Sequence, residues 1–190
     1  MLKFAKLRDF VFHMSMDIIH FDVANENWQR DNVAYGQTQF NHRRTIESIN
    51  NPNFKSTIDY FFTDEFKNTI VDALYTAPLF AGYWAISPEK MKSITKTFGT
   101  AVQDSPGHTT ALHLDNRLLV ASGMCYLIED DDPEQSTFFY TDAQYNNPLR
   151  ISTGWGKGWL AANMHDSWHE GHNRSNKNRH SILFGLSLNL

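Results

Sequence analysis

From Gly99 onward the chain is a succession of short apolar runs separated by clusters of turn residues, and this pattern restricts the fold more than any other feature. LLVASGMCYLI stops at the acidic turn EDDDPE, and STFFYTD stops at YNNP. LRIST runs into GWGKG, WLAANM precedes the polar loop HNRSNKN, and SILFGLSLNL follows it. Short strands at this spacing predict an antiparallel sandwich or barrel. Before Gly99 the signals are helical. Thr63 can cap a helix through FKNTIVDALY, with Asp64 and Glu65 in its first turn and Phe66, Ile70, Ala73 and Leu74 on one face. Ser87 and Pro88 open a second helix, PEKMKSITKTF, which Gly99 can stop. The stretch up to Asn53, with NENWQRDN, AYGQTQFNHRR and the turn signal NNPN, predicts no definite element. The expected class is mainly β with N-terminal helices (α+β). It forms one domain over 1–190, with a helical and irregular part at 1–99 packed on a β part at 100–190.

Composition narrows the function. The chain has 190 residues, 41% of them apolar and 20% charged, which suits a folded domain with its own core. A net charge of -4 gives no overall positive field, so nothing marks a general nucleic-acid scaffold. With one cysteine, Cys125, neither an internal disulfide nor a thiolate zinc cluster can form, which fits a reducing compartment. The N-terminal segment MLKFAKLRDFVFHMSMD lacks the apolar core of a signal peptide. No apolar run approaches the roughly 20 residues of a membrane span. A soluble, cytoplasmic protein is the expectation.

Four of the nine histidines fall between His165 and His180, which directs attention to metal binding. Within HTTALHLDN, His113 and Asp115 are two apart, so on a strand both point to one face and can share a divalent ion. Alone, such a pair is more often a surface pair. A third ligand completes a two-histidine, one-carboxylate set with open positions on iron(II). His169 suits this role, at the end of an aromatic and apolar stretch just before a polar loop. Ten residues later Arg179 opens the last strand, and Ser181 shares its face. Together they can hold a carboxylate, the arginine through paired hydrogen bonds. His172, or His165 paired with Arg174, remains an alternative; Arg179 is preferred because it begins an apolar strand.

H-x-D, a distant His, Arg ten residues on and Ser two beyond resemble the iron(II)- and 2-oxoglutarate-dependent dioxygenase superfamily. QDSPGHTTALHLDNRLLVASGMCYLIED resembles the first metal-binding strands of that family, and GWLAANMHDSWHEGHNRSNKNRHSILFGLSLNL resembles its closing hairpin, over roughly residues 100 to 190. The chain departs from the family in Ala111-Leu112 before the H-x-D and in the Asn-, His- and Lys/Arg-rich loop before Arg179. The resemblance implies a double-stranded β-helix, a form of jelly roll, with iron(II) on His113, Asp115 and His169. It also implies 2-oxoglutarate as co-substrate, with its far carboxylate on Arg179 and Ser181, and O2 as the oxidant. The implied activity is a hydroxylase that couples 2-oxoglutarate decarboxylation to oxidation of a substrate C–H bond. Tyr126 is read equally as a co-substrate contact and as core packing. Asn163 is a weaker candidate of the same kind, and Trp168 packs beneath His169 or lines the substrate mouth. The substrate class stays open between protein side chains, nucleobases and small metabolites.

Other motifs fit blander readings. His169-Glu170-Gly171-His172 lacks the H-E-x-x-H spacing of a zinc-protease helix. GWGKGW lacks P-loop spacing and reads as a hairpin turn. Glu129 to Asp132 reads as a solvated acidic turn, Cys125 as a buried small residue and His108 as a loop histidine. Two alternative functions are a cupin-like metal-binding isomerase, which needs no Arg179 clamp, and a non-catalytic β-sandwich binding protein.

Overall fold

The computed structural model describes residues 1–30, 43–46, 48–116, 118–164 and 167–189. Its strands are β1 (Leu2–Lys6), β2 (Val11–Met16), β3 (Trp28–Arg30), β4 (Arg43–Ile46), β5 (Thr95–Asp104), β6 (His108–Thr109), β7 (Leu119–Tyr126), β8 (Thr137–Tyr140), β9 (Leu149–Ile151), β10 (Lys157–Ala162), β11 (Trp168–Asn173) and β12 (Arg179–Leu188). Four helices lie between β4 and β5: α1 (Pro52–Tyr60), α2 (Asp64–Tyr75), α3 (Pro78–Trp84) and α4 (Pro88–Ile94). An eight-stranded sheet has the order β1-β2-β10-β7-β12-β5-β4-β3, and a four-stranded sheet the order β6-β11-β8-β9. The described strand pairs are antiparallel. The two sheets face each other as an open jelly roll.

The large sheet is covered on both sides, which explains why β7 and β12 carry near-continuous apolar text instead of strict alternation. On β12, Ile182, Phe184 and Leu186 join the cluster that includes Phe54 of α1 and Phe66, Ile70 and Leu74 of α2. The alternate residues face the small sheet, where Met124, Tyr126, Phe139, Ile151 and Trp159 form a second core with Leu183 packed against it. Helix α2 begins where its capping signal placed it, with Thr63 Oγ1 accepting from the Phe66 amide. Its buried face is Phe66, Ile70, Val71 and Leu74.

Two expectations need correction. The second helix does not run to Gly99: α4 ends at Ile94, and the chain pairs with β12 from Thr95 onward. Residues 1–99 are also not merely helical and irregular. They supply β1 to β4 and the first half of β5, all in the large sheet, while NNPN caps and opens α1 through Asn51. The N-terminal strands are short or at a sheet edge, where side-chain alternation is weak, so their text carried no legible period. Among the described residues, no helix is long and apolar enough to cross a membrane.

Candidate metal and carboxylate site

His113 and Asp115 do not occupy a regular strand. His113 forms an isolated antiparallel bridge to His169 on β11, each donating its amide to the other's carbonyl at 3.0 Å, and Asp115 follows in irregular chain. The bridge brings the two imidazoles to a ring-centroid separation of 4.4 Å. One ligand atom from each of His113, Asp115 and His169 lies within 4.8 Å of the others. The His113 Nε2 is 3.6 Å from Asp115 Oδ1, and the His169 Nε2 is 3.8 Å from Asp115 Oδ2.

Backbone carbonyls fix the tautomer of both rings. His113 Nδ1 donates to the Ala111 carbonyl at 2.7 Å, and His169 Nδ1 donates to the Ser167 carbonyl at 3.1 Å. Each Nε2 is therefore left with its lone pair toward Asp115, as a metal ligand requires. Phe139 and Trp159 pack against the His169 ring. Burial opposes ionisation of Asp115, yet the facing histidines and the Ser122 hydroxyl outweigh it and hold the carboxyl down to about 2. Burial also opposes charge on His113, but the Asp115 carboxylate and the Ala111 carbonyl raise its pKa above the ordinary value. His169 moves the other way, lowered chiefly by burial. Three donors of this kind, converging with an anionic oxygen among them, fit a divalent first-row metal.

His172 does not join this group. It lies on the opposite face of β11, with Nε2 3.1 Å from Glu170 Oε1 and its ring against Phe138. His165 lies outside the described residues. Trp168 is half-buried beside His169, and Asn163 donates to the Asn116 and Leu119 carbonyls, bracing the loop that follows Asp115. Cys125 is buried on the helix-facing side of β7, where desolvation pushes its thiol pKa up.

Arg179 and Ser181 are fully buried and share the inner face of β12. Arg179 and His169 lie on successive strands, β12 and β11, which a hairpin would pair side by side. The two are instead in opposing sheets, so the space between them is the interior of the jelly roll. Arg179 donates through Nε and Nη2 to Asp104 Oδ2, at 3.2 and 2.7 Å. Its Nη1 donates to the Gln135 and His172 carbonyls at 2.9 and 2.8 Å. Asp104 also accepts from Arg43 Nε at 2.7 Å and lies 3.4 Å from His108 Nε2. Burial alone would raise the Asp104 pKa, but Arg43 and Arg179 force it well below the usual carboxylate range.

The residues around Arg179 fit a bound carboxylate. Ser181 Oγ is buried without a hydrogen-bond partner. A guanidinium has five N–H groups, and the four bonds above leave one N–H on Nη2. Beside it, a Cβ added to Gly171 would lie 3.4 Å from Nη2 and 3.3 Å from Thr110 Oγ1, so the glycine keeps a cradle open there. Tyr126 stands opposite Ser181 in the β7–β12 register and donates to Thr137 Oγ1 at 2.8 Å. Burial raises its pKa, and the nearby Arg179 charge opposes that rise.

Sequence reasoning missed Asp104, Arg43 and Ser122. Each carried one signal, a polar residue in register with inward-facing positions of a strand, as Asp104 is with Val102 and Ser122 with Met124.

No family model matches the sequence, and no curated protein matches it. Solved structures do. A prolyl-4-hydroxylase from Pseudomonas putida is similar at TM-score 0.53 and 12% identity, over 78% of this chain and 73% of that one. An oxidoreductase of the 2OG-Fe(II) oxygenase family from Burkholderia pseudomallei is similar at TM-score 0.50 and 14% identity, over 98% and 72%. The non-haem alpha-ketoglutarate-dependent epimerase SnoN of nogalamycin biosynthesis is similar at TM-score 0.56 and 12% identity, over 95% and 79%. A mostly β chain of two facing antiparallel sheets, with a His-Asp-His group between them, has the jelly-roll fold of the 2-oxoglutarate- and iron(II)-dependent oxygenases.

Proposed function

We propose that this chain is an iron(II)- and 2-oxoglutarate-dependent oxygenase that hydroxylates its substrate. The observation that carries the reading is the convergence of His113, Asp115 and His169 within 4.8 Å, with both Nδ1 atoms committed to backbone carbonyls. These three residues would hold the metal. Arg179, Ser181 and Tyr126 would receive the far carboxylate of 2-oxoglutarate. The metal, when bound, supplies O2 activation coupled to decarboxylation of 2-oxoglutarate to succinate.

The chain's own part is positioning and exclusion of water. The His113–His169 bridge sets the spacing of the two imidazoles before any metal arrives. Ser122 orients the Asp115 carboxylate by donating to Oδ2. Phe139 and Trp159 keep the His169 side dry, which strengthens every charge interaction inside. A buried, unreactive Cys125 agrees with a cytoplasmic setting.

One observation favours a second reading, a metal-binding jelly roll that does not use 2-oxoglutarate: Arg179 already has a carboxylate partner in Asp104. Succinate release from 2-oxoglutarate decides between them, assayed with iron(II) and O2 against peptides, nucleobases and small metabolites. We expect slow release without substrate, and faster release with one class. His169→Ala should abolish both turnover and metal binding, while His172→Ala should keep both. Metal binding with no succinate under any condition would select the second reading.

A further inference from the structure

Asp115 sits in a stretch of chain, after the His113 bridge and before β7, that forms no strand. Without ladder bonds such a stretch moves more easily than a strand does, so something else must hold the carboxylate in place. Two side chains do. Ser122 Oγ donates to the Asp115 carboxylate from β7. Asn163, just past the end of β10, takes hold of the backbone. Its Nδ2 donates to the Asn116 carbonyl at 2.6 Å and to the Leu119 carbonyl at 3.1 Å, and lies 3.3 Å from the Asp115 carbonyl. An amide nitrogen carries two N–H groups, so the two shorter contacts use both. The Asn116 carbonyl also accepts from the Leu119 amide at 2.9 Å, which closes a turn that Asn163 grips at both ends.

Asn163 is itself fixed. Its backbone amide donates to the Val120 carbonyl at 3.0 Å, continuing the β10–β7 pairing past Ala162. The next residue, Met164, starts the turn that orients the other side of the metal group. The Met164 amide donates to Ser167 Oγ at 3.2 Å, and Ser167 Oγ donates back to the Met164 carbonyl at 2.8 Å. The Ser167 carbonyl then accepts from His169 Nδ1 at 3.1 Å. His169 bridges to His113, two residues before Asp115. Hydrogen bonds and short lengths of chain thus make a closed circuit. It runs from Asp115 through Asn163, Met164, Ser167 and His169 to His113, and back to Asp115.

We propose that Asn163 is a positioning residue for the metal group, whose side-chain N–H groups set the place of Asp115 relative to His169 by tying the Asp115 loop to the segment that orients His169. Resting on the metal-binding reading above, this divides the work between two residues. Ser122 turns the carboxylate, and Asn163 fixes the backbone from which it projects. The role belongs to the two donors of Asn163 and not to its volume, since carbonyl oxygens are what it meets. Hydrogen-bond partners that orient metal ligands typically contribute roughly 10- to 100-fold to metal affinity.

The test separates donation from shape. Asn163→Asp keeps the shape, loses both donors and turns a carboxylate toward two carbonyls. Asn163→Gln keeps both donors on a side chain one methylene longer. Manganese(II) affinity, read by calorimetric titration of the metal-free protein, should fall about tenfold or more in Asn163→Asp and by less in Asn163→Gln. The ring-nitrogen signals of His113 and His169, followed by NMR without metal, should move in Asn163→Asp, because both Nε2 atoms face Asp115. Melting temperatures are measured in parallel. If Asn163 only braces a loop, Asn163→Asp will melt lower while its manganese(II) affinity and ring signals match wild type. That result overturns the proposal, as does an affinity that follows shape, with Asn163→Gln the weaker binder of the two. Should Asn163→Asp not fold, Asn163→Ala replaces it: tighter binding by Asn163→Gln supports the proposal and equal binding overturns it. Should wild type bind no manganese(II), the metal reading fails separately. The ring signals then decide this one, supporting it if they move in the donor-less variant and overturning it if they do not.

Discussion

His180 sits next to the buried arginine but on the other face of β12, and its surroundings keep it neutral. Its Nε2 is 2.9 Å from Gln103 Nε2, which donates to it, and the Trp28 ring lies against it. Desolvation lowers its pKa to about 4 despite opposing pulls from Asp104 and Asp22. In the unfolded chain the imidazole takes up its proton near 6.5. Between about 6.5 and 4 the unfolded state therefore binds more protons than the folded one, and stability falls as pH drops through that window. The loss attributable to His180 is on the order of 3 kcal/mol. Urea unfolding at several pH values should show it as a difference between wild type and His180→Gln, whose stability should be flatter from pH 6.5 to 4. Parallel pH profiles would remove His180 as the cause. The carboxylates cannot mimic this effect, because Asp104 and Asp115 have lowered pKa values and act below about 4.

At the scale of elements, β7 and β10 approach so closely that glycine is obligatory at one crossing. A Cβ on Gly158 would lie 1.8 Å from the Met124 carbonyl oxygen, a backbone atom with no freedom to rotate away. Gly158→Ala should cost about 3 kcal/mol or more, read as a drop in denaturation midpoint. A change under about 0.5 kcal/mol would mean that the strands can separate without loss. The β10–β7–β12 framework was legible because its strands are buried on both faces and so read as apolar runs bounded by turns. The convergence of His113, Asp115 and His169 was legible because these residues, with Arg179 beyond them, keep a spacing along the chain that survives whatever surrounds it. The Arg43–Asp104–Arg179 row was not. Its members are separated by 61 and 75 residues, and only the sheet register brings them together. A lone aspartate at the end of TKTFGTAVQD looks like a solvated strand end until two cations are found opposite it. His113 and Asp115 also show a limit of period-two reasoning. The residues meet as expected, but through a single bridge and a loop rather than along a strand.

For the whole molecule, the proposed metal binding would be linked to folding, because the three candidate ligands come from separate segments that only the folded sandwich unites. Manganese(II) at about 100 times its dissociation constant should stabilise the protein by about 2.7 kcal/mol, or roughly 5–10 °C in melting temperature for a chain of this size. Thermal melts with the metal, with added chelator and with Asp115→Ala should show the gain, its reversal and its absence; an unchanged wild-type melt would remove the metal assignment. The strand order has a further consequence, for the ribosome. Strand β12, the last described, lies in the middle of the large sheet between β7 and β5, and the β1–β2 hairpin finds its sheet partner only at residues 157–162. Until β12 emerges, β5 and β7 each expose an edge able to pair with other chains. Such long-range closure slows folding and lengthens the interval in which a nascent chain needs shielding. Arg179 and Ser181 arrive on that same late strand, so the proposed carboxylate end of the site is assembled in the step that seals the sheet.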